Sequence, residues 1–122
     1  MRRVIISGGG TGGHIYPAIT IARAIADIEP TEFLYVGSKI GLENTLIPKE
    51  GLPFVTLDVR GLERKISVRN LVTLGKTAGS LIKAEGIIHK FKPDVVIGTG
   101  GFVCGPVLLA ASLSGVPTLI QE

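Results

Sequence analysis

His14 closes a run in which five of six residues are glycine, Gly8-Gly9-Gly10-Thr11-Gly12-Gly13. Glycines at that density let a backbone turn tightly and bring its N–H groups within reach of a ligand. Apolar Val4-Ile5-Ile6 precedes the run, and a helix-like pattern with Pro17 near its start follows it. A helix beginning there points its positive end at the same spot, so the residues predict an anion site, most often one for phosphate. His14 puts a titratable imidazole at the edge of that site, a group that a purely structural turn does not need.

A second glycine cluster lies far along the chain, Gly98-Thr99-Gly100-Gly101-Phe102-Val103-Cys104-Gly105-Pro106. It too follows a short apolar segment and precedes a helix candidate. The elements that would position both loops are readable. Strand candidates fall at 3–7, 32–36, 53–57, 94–97 and 117–121, with helix candidates at 17–28, 42–49, 68–91 and 106–113. Pro17 and Pro106 each suit a first helical turn, where a missing N–H is harmless. Gly115 suits a helix stop. The alternation predicts an α/β fold, a doubly wound, Rossmann-like parallel sheet of strand order 3-2-1-4-5. In such sheets ligands bind at the carboxyl ends of the strands where chain order reverses. That point lies between the first and fourth strands, so both glycine loops should share one crevice.

Composition narrows the class. The chain has 122 residues, 45% apolar and 19% charged, which is enough for one domain with a core. Its 17 glycines sit mostly in the two loops, so they are loop chemistry rather than low complexity. Cys104 is the only cysteine, which excludes an internal disulfide and fits a reducing cytoplasm. The start, Met1-Arg2-Arg3-Val4-Ile5-Ile6-Ser7, has too short an apolar run for a signal peptide, and no stretch is apolar enough to span a bilayer. Eight basic and two acidic residues between Arg60 and Lys92 give that segment a net charge of +6, against +3 for the whole chain. A local basic surface and an anionic partner are therefore expected. Nucleic acid is not, because aromatic and basic residues do not interleave. No Asp-x-Asp pair or metal-spaced ligand cluster occurs, so neither a metal nor a cofactor is expected.

Gly8-x-Gly10-x-x-Gly13 also satisfies the dinucleotide pattern literally, leaving an oxidoreductase domain as an alternative. Against it, the second strand ends Tyr35-Val36-Gly37-Ser38 without the acid that would hold a ribose, the nearest being Glu43.

The stretch from Gly8 to Ala18 followed by Ile21-Ala22, the second glycine cluster, and the ending Gly115-Val116-Pro117-Thr118-Leu119-Ile120-Gln121-Glu122 together resemble the MurG family. The resemblance runs the length of the chain and covers about the first third of a family member. It implies a single, incomplete N-terminal acceptor-binding domain of a two-domain GT-B glycosyltransferase, with the donor domain beyond it. Such an enzyme moves N-acetylglucosamine from UDP-N-acetylglucosamine to the 4-hydroxyl of the lipid-linked N-acetylmuramyl-peptide, with inversion. That would place it in peptidoglycan synthesis, and so in cell-wall biogenesis, cell shape and division, peripheral to the cytoplasmic face of the cell membrane. The resemblance makes His14 the natural general base, with phosphate ligand or helix cap as its other readings. It assigns the acceptor pyrophosphate to Gly10, Thr11, Gly12, Gly13, Gly100, Gly101, Phe102 and Gly105, and sugar contacts to Tyr16 and Glu122. Cys104 stands where the family usually has serine. Alone, the chain should not turn over, and a non-catalytic phosphate-binding subunit needing a partner chain is the competing reading.

The substrate's lipid tail stays in the bilayer, which gives the basic segment a possible use. Leu71, Leu74, Gly75, Ala78, Leu81 and Ile82 fall on one helical face, flanked by Arg69, Lys76 and Lys83. An anionic membrane surface would attract each cation by about 1 kcal/mol. A core-facing stripe with a solvated basic side is the plainer reading.

Overall fold

A computed structural model describes residues 1–58, 68–101 and 103–121, with the side chains of 68–77 outside the description. Five parallel strands, β1 (Arg2–Gly8), β2 (Thr31–Ser38), β3 (Phe54–Leu57), β4 (Val95–Gly100) and β5 (Thr118–Ile120), form one sheet. Their order is β3-β2-β1-β4-β5, as the sequence predicted. Helices α1 (Gly12–Ile28), α2 (Glu43–Glu50), α3 (Val68–Phe91) and α4 (Cys104–Leu113) connect them.

The two faces of the sheet carry separate cores because strand side chains alternate. Val4, Ile6, Phe33, Tyr35 and Ile97 meet Ile15, Ala18, Ile19 and Ala22 of α1 and Ile47 of α2. Ile5, Val36, Leu57 and Val96 meet Ala84 and Ile88 of α3 and Val107, Ala110 and Ala111 of α4. The α1 set recurs at i, i+3, i+4 and i+7, the spacing that puts one stripe on a sheet. Val4, Ile5 and Ile6 are at most 3% exposed, so the strand that feeds the first loop is gripped from both sides. Burial of each such side chain contributes about 1.5–3 kcal/mol.

Two expectations need correction. The first helix starts at Gly12, not Pro17, so Pro17 is its sixth residue. Glycine is a poor helix former, but here the turn closes on Thr11: the N–H groups of His14 and Ile15 both donate to the Thr11 carbonyl, at 3.1 and 3.2 Å. Pro17 then deprives the Gly13 carbonyl of its i+4 donor. On α3 the apolar stripe is split by burial instead of being buried or exposed as a whole. Ser80, Ala84 and Ile88 define the buried side, Leu81 packs against the core, and Ala78 and Ile82 are exposed. Gly115, with φ +75°, follows the end of α4 as expected.

Candidate functional site

The two glycine loops meet. The β1–β4 register slips between Ser7 and Gly8, so that Gly8 pairs with Gly100, and the Gly9 N–H donates to the Gly100 carbonyl at 3.1 Å. Gly100 and Gly101 have φ of +118° and +93°. A Cβ on Gly101 would run into the Gly9 backbone, and one on Gly100 into the His14 imidazole. Both positions therefore need glycine for space and for conformation.

Side chains from the flanking elements pin this junction. The Tyr35 hydroxyl donates to the Gly8 carbonyl at 2.6 Å. Burial pushes that phenol well above its ordinary range, and the negative charge of Glu43 adds to the shift. Thr99 Oγ1 donates to the His14 carbonyl at 2.5 Å, tying the first turn of α1 to β4. Cys104 Sγ lies 2.9 Å from the Ser7 carbonyl and 3.0 Å from that of Gly100, and accepts the Gly100 N–H at 3.2 Å. Burial raises this thiol as well, which leaves it a packed hydrogen-bonding group rather than a nucleophile.

The outward side of the junction is open. Gly12 and Gly13 begin α1, so their N–H groups have no acceptor within the helix, and Thr11 supplies no side-chain cap. His14 Nδ1 lies 3.1 Å from the Gly9 carbonyl and 3.4 Å from Thr11 Oγ1. A cleft of about 500 Å³ at this edge is lined by Gly13, His14, Pro17, Gly98, Thr99, Gly100, Cys104, Ile120 and Gln121. The volume falls in the range of small-molecule sites.

Of the residues read from sequence, Gly13, His14 and Gly100 line the cleft, Gly12 begins the same turn outside its lining, and Thr11 sits beside the imidazole. Gly105 is exposed in the first turn of α4, whose preceding residue Val103 gives no side-chain cap. Gly101 is the packing contact just described. Gly10 differs from expectation: its N–H points inward to Glu43 Oε1 at 3.2 Å, so it holds the loop instead of facing a ligand. Tyr16 is 58% exposed, with its ring lying back over Gly12 rather than in the cleft wall. Phe102 and Glu122 lie outside the described residues, as do the side chains of Arg69, Leu71, Leu74 and Lys76. Ala78 is exposed, and Lys83, also exposed, donates to the Thr56 carbonyl at 2.8 Å.

Three residues that hold the site escaped the sequence reading: Tyr35, Thr99 and Glu43. Glu43 is fully buried, and its carboxylate accepts from Gly10 N–H, Ser38 N–H and Ser38 Oγ. That arrangement also counts against the dinucleotide alternative. A pyrophosphate cradled on the inner half of this loop would face a carboxylate already using the Gly10 N–H.

A Rossmann-like parallel sheet with a glycine-lined crevice at its β1/β4 switch point matches the N-terminal half of the GT-B glycosyltransferases. Residues 4–122 match the Glycosyltransferase family 28 N-terminal domain, and the chain belongs to that family. It is 54% identical over 121 residues to a Thermoanaerobacter sp. (strain X514) protein named UDP-N-acetylglucosamine--N-acetylmuramyl-(pentapeptide) pyrophosphoryl-undecaprenol N-acetylglucosamine transferase, and 48% identical to a Bacillus anthracis protein of that name numbered 1. Each match covers 98% of this chain and 33% of the relative. The crystal structure of Acinetobacter baumannii MurG superposes with a TM-score of 0.85 at 31% identity, covering 98% of this chain and 35% of that one. The MurG resemblance drawn from the motifs thus holds for the N-terminal part, and the chain spans about a third of the length of the relatives it matches.

Proposed function

We propose that this chain is the acceptor-binding part of an inverting glycosyltransferase of peptidoglycan synthesis. Its substrates would be UDP-N-acetylglucosamine, bound by the remainder of a full-length protein or by a partner chain, and the lipid-linked N-acetylmuramyl-peptide. The observation that carries the reading is the uncapped α1 N-terminus with His14 beside it in one cleft. Gly12 and Gly13 offer N–H groups to the acceptor pyrophosphate, and the second loop with Gly105 offers the start of α4. The acceptor 4-hydroxyl forms a bond to C1 of the donor sugar as the bond from C1 to the UDP oxygen breaks. UDP leaves with the electron pair, and the hydroxyl proton passes to His14 Nε2. No covalent enzyme intermediate is needed.

The expected cellular place is peripheral, at the cytoplasmic membrane face. Among the described residues no helix is long and apolar enough to cross a membrane. Exposed Ala78, Ile82 and Lys83 on α3 supply the apolar and cationic elements of an interfacial contact. Vesicle binding should rise with anionic lipid and fall with salt; insensitivity to both removes this part of the proposal.

A calorimetric titration tests the main assignment. The chain should bind a short-chain analogue of the pyrophosphoryl-linked muramyl-peptide and should not bind UDP-N-acetylglucosamine; the reverse result overturns it. In a protein carrying both halves, His14→Ala should lower kcat about 10²–10⁴-fold, the usual contribution of a general base, with little change in acceptor affinity. A large affinity loss with kcat retained would make His14 a ligand instead. Turnover that appears only when this chain is mixed with a donor-domain chain would support the enzyme half over a non-catalytic binding subunit.

A further inference from the structure

The Gly9–Gly10 peptide unit is held from both ends. Its N–H donates to Glu43 Oε1 at 3.2 Å, and its C=O meets His14 Nδ1 at 3.1 Å. A trans peptide points these groups in opposite directions, so one plane links a buried carboxylate to the imidazole. A carbonyl oxygen can only accept, which requires Nδ1 to carry the proton and leaves the lone pair on Nε2. Thr11 Oγ1, at 3.4 Å, both donates and accepts, and so selects neither tautomer.

Flanked by two glycines, this plane has no Cβ of its own to fix its direction, so the hydrogen bonds at its two ends decide which way it faces. Inverted, it would set its carbonyl against the Glu43 carboxylate and its N–H against Nδ1, and would favour the opposite tautomer. The carboxylate itself is fixed, because Ser38 N–H and Oγ both converge on Oε2, at 3.0 and 3.2 Å. We propose that Glu43 is a positioning residue that locks the Gly9–Gly10 peptide and thereby sets His14 in the Nδ1–H tautomer, with Nε2 as its basic atom. The relay deepens the base reading of His14 and rests on it for its use. A carboxylate on the N–H also polarises the amide, which makes its carbonyl a better acceptor for the imidazole.

Ring ¹⁵N NMR of the histidine-labelled chain, at a pH where the imidazole is neutral, reads the tautomer directly. His89→Gln assigns the second histidine. In the wild type, His14 should carry its proton on Nδ1; an Nε2–H ring overturns the proposal without any variant. Glu43→Gln keeps the side chain's size and gives a sharper test. The two Ser38 donors retain the amide oxygen, the amide nitrogen then faces Gly10, and the peptide should turn over so that its carbonyl accepts from the new NH₂. The tautomer should therefore shift to Nε2–H, and an unchanged Nδ1–H signal overturns the relay. Ser38→Ala removes one Oε2 partner but leaves the Gly10 bond, so it should keep the wild-type tautomer. If it shifts the tautomer as Glu43→Gln does, the effect is general loosening and the relay is wrong. Since the readout involves no substrate, a tautomer that behaves as expected while His14→Ala retains full turnover refutes the base, not the lock.

Discussion

The two glycine loops leave neighbouring central strands and enter helices, but they are shaped by different means. Side chains set the first: Tyr35 from β2 holds the Gly8 carbonyl, Glu43 from α2 the Gly10 N–H, and the loop's own His14 the Gly9 carbonyl. Backbone proximity sets much of the second, where Gly100 and Gly101, at positive φ, press on His14 and Gly9, with Cys104 bonding beneath. A loop held by hydrogen bonds can be altered one partner at a time and still leave backbone N–H groups open at its outer turn. Gly100 and Gly101 tolerate no added carbon and form the wall against which the first loop is aligned, although Gly8 and Gly9 of that first loop exclude a Cβ as well.

This contrast predicts its own largest effect. Gly101→Ala adds a Cβ where the Gly9 backbone stands and must hold a φ that L residues avoid, itself worth about 1–2 kcal/mol. With the backbone clash added, the loss in chemical denaturation should reach about 3 kcal/mol or more. A loss below about 1 kcal/mol would mean that the second loop yields easily and is no wall.

Removing a clamp should do less. Tyr35→Phe keeps the ring in its core and leaves the buried Gly8 carbonyl without the phenol donor, at a cost of about 1–3 kcal/mol. The same variant in a full-length enzyme should lower kcat, because the first loop carries His14. If the two variants destabilise equally and both spare activity, the distinction between clamped and walled loops fails.

The sequence revealed the sheet because each strand is a short apolar run between turn signals, and the switch-point rule placed both loops without any contact information. The start of α1 was hidden. Gly12 and Gly13 have poor helix propensity, and Pro17 imitates a first-turn proline, whereas the turn actually forms on the Thr11 carbonyl. The place of His14 beside the first loop was legible, but its supports were not. Tyr35 reads as one more strand hydrophobe. Glu43 sits 33 residues from the loop whose N–H it holds, and only the β1–β2 pairing brings the two together. The partner of Gly10 was hidden for the same reason: its sequence neighbours suggest a ligand-facing N–H, and the carboxylate that takes it comes from beyond the neighbouring strand.

The smallest effect separates the sulfur under the second loop from the phenol under the first. Cys104 donates and accepts within one small space, and serine has the same valence there, so Cys104→Ser should change stability at neutral pH by less than about 1 kcal/mol. Its signature lies at alkaline pH. Burial raises the thiol above its ordinary 9.0 and the Tyr35 phenol above its ordinary 10.0. For each, the folded chain keeps a proton that the unfolded chain has begun to release. Stability present below the unfolded value is then lost as pH climbs toward the folded one, by at most about 1.4 kcal/mol per pH unit for one proton. Loss should therefore begin near pH 9 through the thiol and steepen near pH 10 through the phenol. Cys104→Ser should remove the first part and keep the second, and Tyr35→Phe should do the opposite. Denaturation midpoints from pH 8 to 11 decide it: if both variants follow the wild-type slope throughout, neither group is held neutral by the fold, and the buried junction between the loops is wetter than this packing allows.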